Sequence, residues 1–159
     1  MKLIPTGIEN FKEMIDKNYY YIDKTNLIID FLNEQVIFCT RPRRFGKTLN
    51  MSMLYYFFSI KEKENAYLFD HLNISKNKEA LKHQNKYPTI LISLKEMKSS
   101  SFKAQIISFS NIIYELLEKN LEILSSAQLT DTTKKKLNSL HDETTSIEDL
   151  KFSLRVISN

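Results

Sequence analysis

At 159 residues and 42% hydrophobic content the chain is long enough to bury a core, which excludes disorder as its dominant state. A formal charge of +4 makes it weakly basic, and lysines scattered along the whole chain do not by themselves argue for nucleic acid. One cysteine, Cys39, and no Cys/His spacing of the zinc-binding kind exclude an internal disulfide and a structural zinc, and no apolar run approaches the ~18 residues needed to span a bilayer, so a cytoplasmic protein without a membrane partner is expected.

In chain order, Ile8, Phe11, Met14 and Ile15 stand at helical spacing, with Thr6 or Gly7 able to start the turn. The aromatic patch Tyr19-Tyr20-Tyr21-Ile22-Asp23 has strand propensity, and Leu27, Ile28, Phe31 and Leu32 then mark a second amphipathic helix within residues 24–34. Val36-Ile37-Phe38-Cys39-Thr40 is an apolar run of strand length. It predicts a strand buried on both faces, with Cys39 as a small core residue.

A polar, basic loop over 41–47 leads into residues 48–60, apolar on nearly every side, which predict a buried helix. Residues 61–86 are polar, with a local apolar group at Tyr67, Leu68, Phe69, Leu72 and Ile74, and have the composition of a surface connection with some helix, while 89–94 predict a second strand. From Phe102, the residues Ile106, Phe109, Ile113, Leu116, Leu117, Leu121 and Leu124 hold one face of a long helix expected to pack on the sheet. After a polar stretch over 125–136, Ser146 with Asp149 three positions on forms a capping-box spacing for a last helix, whose face is Ile147, Leu150, Leu154 and Ile157.

The alternation of strand and helix predicts an α/β fold, a P-loop NTPase-like parallel sheet flanked by helices. Two strands make a poor sheet, with long unpaired edges, so the sheet is expected to be incomplete and residues 1–159 to form the N-terminal part of a single domain that has been cut short.

Chemistry concentrates between residues 41 and 48. A phosphate-binding loop is a strand, then G-x-x-x-x-G-K-[ST], then a helix: amides and the positive helix end hold phosphate oxygens, the lysine reaches the β and γ phosphates, and the following hydroxyl ligates Mg²⁺. Gly46-Lys47-Thr48 supplies the second half of the pattern in the right context, but Arg41 stands where the first glycine belongs and must keep φ below zero or bear strain. Two other readings of the cluster remain. Arg41, Arg43 and Arg44 can form a solvated turn, or the basic loop can meet the phosphate backbone of a nucleic acid.

Several segments in order resemble the AAA-ATPase-like family of bacterial P-loop proteins, often joined to a C-terminal PD-(D/E)XK nuclease-like domain. They are Ile4-Pro5-Thr6-Gly7-Ile8 with Phe11-Lys12, then Tyr20-Tyr21-Ile22-Asp23-Lys24-Thr25, the run Thr40-Arg41-Pro42-Arg43-Arg44-Phe45-Gly46-Lys47-Thr48-Leu49 continuing through Met53-Leu54-Tyr55-Tyr56-Phe57-Phe58, and Lys86-Tyr87-Pro88-Thr89-Ile90. The resemblance implies that Arg41 is a tolerated variant of an ATP-binding loop formed by Arg41, Pro42, Arg43, Arg44, Phe45, Gly46, Lys47 and Thr48. Lys47 would contact the β and γ phosphates, Thr48 would ligate Mg²⁺, and Arg43 and Arg44 would add charge. It also implies that Asp23, in the hydrophobic-Asp-basic tetrad Tyr21-Ile22-Asp23-Lys24, lies against the adenine, although an aromatic patch simply packed on the sheet explains the tetrad equally.

The family's Walker B element, an apolar strand ending in Asp-Glu, has no counterpart here; residues 90–94 run into Lys95-Glu96, which has the character of a loop. ATP binding without hydrolysis by this chain alone is therefore the expected function. The rival from another class is a nonenzymatic interaction module whose basic loop binds nucleic acid or an acidic partner, and a third possibility is a gene remnant that does not fold stably. Nucleic acid would otherwise be reached only through the nuclease-like domain.

Overall fold

The computed structural model describes residues 2–95, 97, 101–120, 130–138, 140 and 146–158, which cluster into two compact units, 1–91 and 92–159. Each is described by itself.

In the first unit, α1 (Phe11–Asp16) is short and capped by Asn10, whose side chain accepts the Glu13 amide at 3.0 Å; neither Thr6 nor Gly7 serves as the cap. Next come α2 (Leu27–Asn33) and the longest helix of this unit, α3 (Lys47–Phe58), which starts immediately after the basic loop. Beyond α3 the chain forms 3-10 segments over Ile60–Phe69 and Asn73–Lys76 and a single turn, α4 (Lys78–Leu81).

The core of the unit is aromatic. Phe69 stacks on Phe11 at 5.2 Å between ring centroids and meets Phe57 edge-on at 5.1 Å, with Ile28, Met53, Leu68, Ile74 and Ala80 buried around them. Residues 61–86 are therefore more than a surface connection: Leu68, Phe69, Ile74 and Ala80 complete the core. Leu68, Phe69 and Ile74 belong to the local apolar group of this segment, but a 3-10 path buries only occasional side chains and leaves no long periodic stripe to mark them as core.

The expected parallel sheet is not present. Among the described residues there is no strand, and the one β-bridge, parallel, joins Ser59 to Tyr87, where Ile60 N donates to Tyr87 O at 2.8 Å and Tyr87 N to Phe58 O at 3.0 Å. Residues 36–40 and 89–94 run outside any regular element without entering a ladder, so the fold of the described residues is helical. The first run is not buried on both faces either: Val36 is 70% and Phe38 87% exposed, and Cys39 is exposed rather than a core residue. Apolar β-propensity fixes a strand only where neighbours complete its hydrogen bonds, and burial here is achieved helix against helix by Phe11, Phe57 and Phe69. Tyr19 to Asp23 likewise form no strand. Tyr21 packs edge-on against Phe11 at 5.6 Å while Tyr20 and Ile22 stay exposed.

The second unit contains α5 (Phe102–Glu118), α6 (Asp131–Asn138) and α7 (Ile147–Ser158). Ile113 and Leu117 of α5 pack with Leu137, Leu140 and Leu150, so the apolar face of α5 meets helices where a sheet was expected; Leu121, Leu124, Glu96 and His141 lie outside the described residues. The helix α6 lies largely within the stretch read only as polar; Leu137 is buried in the core of the unit, and Lys136 pairs with Asp149 at 3.3 Å. Ser146 and Asp149 close the capping box: Asp149 N donates to Ser146 Oγ at 3.2 Å, and Ser146 N to Asp149 Oδ2 at 3.1 Å. No helix among the described residues is long and apolar enough to cross a membrane.

Candidate functional site

The loop 41–46 is neither strand nor regular helix, and its backbone is shaped by two left-handed residues, Arg44 at φ +66° and Gly46 at φ +72°. Arg41 is not among the positive-φ residues, so the strain foreseen for the missing first glycine falls instead on Arg44, where a left-handed side-chain-bearing residue costs roughly 1–2 kcal/mol. Gly46 occupies the cap position of α3, and the first bond of that helix runs from Asn50 N to Gly46 O at 2.9 Å. The amides of Gly46, Lys47 and Thr48 donate to no acceptor among the described residues, as the first turn of a helix leaves them.

Lys47 curls back under its own loop. Its Nζ donates to Arg41 O at 2.5 Å and to Pro42 O at 2.9 Å, tying the two ends of the loop together. Beside this arrangement lies a cavity of about 860 Å³, the size of those that hold small-molecule ligands. Its apolar lining comes from Leu27 and Phe31 of α2, Met51 and Leu54 of α3, and Phe38. Its charged lining is Lys24, Arg41 and Lys47. Asn50 and Thr40 add neutral polar groups, and no carboxylate among the described residues lines the cavity.

The sequence-derived residues are thus only partly brought together. Arg41, Phe45 and Lys47 line the cavity, whereas Pro42, Arg43, Arg44, Gly46 and Thr48 do not, although Gly46 and Thr48 belong to the loop and helix end beside it. Arg43, Arg44 and Thr48 are exposed.

Asp23 is occupied elsewhere. Its Oδ1 accepts the Thr25 amide at 2.8 Å and the Thr25 hydroxyl at 2.7 Å, and its Oδ2 accepts the Asn73 amide at 2.6 Å. Partial burial pushes the Asp23 carboxyl upward, but these hydrogen bonds and the nearby Lys76 charge outweigh it and hold the group below its ordinary range. Thr25, fully buried, passes the connection on by accepting the Ile74 amide at 3.2 Å. The tetrad residue that reaches the cavity is Lys24, which sequence reasoning had not selected; only its place beside the Asp, as the basic member of the tetrad, hinted at it. Leu27, Phe31 and Asn50 were also missed as site residues, because helix periodicity marks a core face without showing that part of it borders an empty space.

Among the described residues no group of three or more His, Cys, Asp or Glu side chains is placed to hold a metal ion. No solved structure matches the chain. A protein of Azotobacter chroococcum mcd 1, described as "Uncharacterized protein in vnfD 5'region", is 38% identical over 55 residues, a stretch covering 33% of this chain and 11% of that relative, so the chain matches only a small part of its length. The family model described as "Predicted AAA-ATPase" matches residues 5–154, nearly the whole chain, which is consistent with nucleotide binding in general. The chain belongs to this AAA-ATPase-like family.

Proposed function

We propose that the chain binds a nucleoside triphosphate, ATP, with its phosphates on the loop 41–48 and its base in the adjoining cavity. The observation that carries this is the make-up of the cavity wall: Lys24, Arg41 and Lys47 face a half-apolar space that contains no compensating carboxylate. Cations without an acidic partner in a largely apolar lining favour an anion, and Leu27, Phe31 and Met51 in the same lining suit a ligand with a flat, weakly polar part. The unengaged amides of Gly46, Lys47 and Thr48 at the start of α3 add donors for phosphate oxygens.

In this reading Lys47 exchanges the Arg41 and Pro42 carbonyls for the β and γ phosphates, and Arg43 and Arg44 contribute positive potential from outside the cavity. Mg²⁺, which would screen the phosphate charge, fits as an ion brought in with the nucleotide and touched by the exposed Thr48 hydroxyl, since no carboxylate cluster offers it a separate place. Asp23 contributes by fixing the turn that carries Lys24 rather than by touching the base. Among the described residues the lining holds no carboxylate to serve as a base for an attacking water, so binding rather than turnover is what these residues support.

Calorimetric titration of the 159-residue chain with Mg-ATP, repeated for Lys47→Ala, tests the proposal. Binding in the wild type that falls by roughly 100-fold in the variant supports it, on the scale of a lost charge-assisted contact to phosphate. Equal affinity in the two proteins removes it. A steep, salt-sensitive affinity for oligonucleotide that ATP does not compete away would instead favour an interaction module using the exposed Arg43 and Arg44.

A further inference from the structure

Lys24 and Lys47 reach one region from different parts of the chain, Lys24 from the turn ahead of α2 and Lys47 from the first residue of α3. A side chain added at Gly46 would meet Lys24 Nζ at 4.0 Å from its Cβ and no other atom as near, so the Lys24 ammonium stands over the cap residue of α3. Lys47 has two carbonyl acceptors. The Lys24 ammonium has neither an ion pair nor a hydrogen bond to a described residue, and no acid lines the cavity it faces.

The backbone that carries Lys24 is held on both sides. Its own amide approaches the Tyr21 hydroxyl at 3.4 Å, and Tyr21 is packed on Phe11 and lies against Met53 Sδ at 3.5 Å. On the other side Thr25 is fully buried and bonded to Asp23 and Ile74. A lysine on a mobile loop would be only a solvated charge. With the backbone fixed on both sides by Tyr21, Asp23 and Thr25, only side-chain freedom remains to be lost at Lys24 when an anion arrives.

We infer that Lys24 is a second phosphate-contacting lysine of this site, acting from the turn ahead of α2 and directing the site toward polyphosphates rather than monophosphates or uncharged nucleosides. The inference rests on the nucleotide-binding proposal and adds a residue and a ligand preference to it. Two lysines and Arg41 around one recess repel one another until an anion neutralises them, and each additional phosphate charge placed between them relieves more of that repulsion.

The test is calorimetric titration of the full chain, as wild type, Lys24→Met, Lys24→Arg and Lys47→Ala, with Mg-ATP, inorganic pyrophosphate and adenosine as separate probes. Lys24 is exposed, so none of its substitutions should lower the melting temperature. Lys24→Met is expected to weaken Mg-ATP and pyrophosphate about tenfold and to leave adenosine unchanged, while Lys24→Arg stays within about threefold of wild type. If Lys47→Ala loses the nucleotide but Lys24→Met binds both phosphate probes as well as wild type does, Lys24 is a bystander and the nucleotide site stands without it. A loss on adenosine equal to that on pyrophosphate also overturns the assignment, since it places Lys24 against the base. A wild type that binds neither ATP nor pyrophosphate overturns the nucleotide proposal and this inference together.

Discussion

Asp23 Oδ2 accepts the amide of Asn73 at 2.6 Å, across 50 positions of sequence, and so pins the 3-10 segment after α3 to the turn that begins α2. The three bonds to Asp23 are unevenly divided, which makes the two obvious substitutions differ. Asp23→Asn keeps an oxygen for Thr25 but turns an amide toward the Asn73 N-H. It should cost about 1–2 kcal/mol in urea denaturation, whereas Asp23→Ala loses every bond and should cost about 2–3 kcal/mol. The folded carboxyl titrates below its unfolded value, so its contribution is complete above the unfolded pKa of about 4 and is lost as pH falls through the folded value. The stability gap between wild type and Asp23→Asn should therefore narrow on acidification below about pH 4, and a gap that is constant from pH 7 to pH 3 would show that the charge contributes nothing.

Gly46 and Gly7 have nearly the same backbone, φ +72° and φ +73°, and different surroundings. A Cβ at Gly7 meets nothing within 4 Å, and one at Gly46 reaches only the flexible end of Lys24. Either change to alanine should therefore destabilise through conformation alone, by roughly 1–2 kcal/mol. Ligand affinity should separate them: Gly46→Ala alters the start of α3 and should weaken Mg-ATP by about tenfold or more, while Gly7→Ala should leave it unchanged. Identical losses of affinity in both would argue that the loop has no special part in binding.

Phe69 packs against both Phe11 and Phe57 and is 1% exposed, within a segment whose mostly polar composition suggests a surface connection with some helix. Phe69→Ala should cost about 3–5 kcal/mol, comparable to Phe57→Ala, because both leave an aromatic-sized cavity among rings that cannot all collapse into it. Tyr67, two residues earlier and 47% exposed, is the control. Its hydroxyl bridges Lys12 and Asp16 at the surface, and Tyr67→Phe should change stability by less than about 1 kcal/mol in thermal or urea unfolding.

Which parts of this molecule could be read in advance follows from how local the causes are. The break between loop and helix at Lys47 and the Ser146 to Asp149 cap are set by neighbours within a few residues, and both stand where the sequence puts them. The family likewise follows from ordered short segments. A strand is a different object, because Val36 to Thr40 has the composition for one but acquires a ladder only from residues distant in sequence, and none supplies it among the described residues. The assignments of Phe69 to the core, Asp23 to the Asn73 amide and Lys24 to the cavity all depend on contacts across tens of residues, which neither periodicity nor a motif encodes.

Asn85 closes the far end of the helix that carries the candidate site. It is buried, left-handed at φ +53°, and its amide donates to Phe57 O at 2.7 Å while its side-chain Nδ2 donates to Tyr56 O at 3.0 Å and Ser59 O at 2.8 Å. The Tyr56 and Phe57 carbonyls, which the end of α3 would otherwise leave without donors, are satisfied by this one residue, and the cap carbonyl of Ser59 takes a second donor from it besides the Glu62 amide. Asn85→Ala keeps only the backbone bond and puts in the left-handed region a residue that tolerates it less well than asparagine does, so a loss of about 2–4 kcal/mol is expected. Asn85→Gly removes the same side-chain bonds without the conformational cost and should be about 1 kcal/mol less damaging than the alanine. Chemical denaturation of the three proteins decides the matter: alanine and glycine variants of equal stability would mean that the backbone conformation at residue 85 carries no cost, and two variants as stable as wild type would mean that the buried amide does not hold the end of α3.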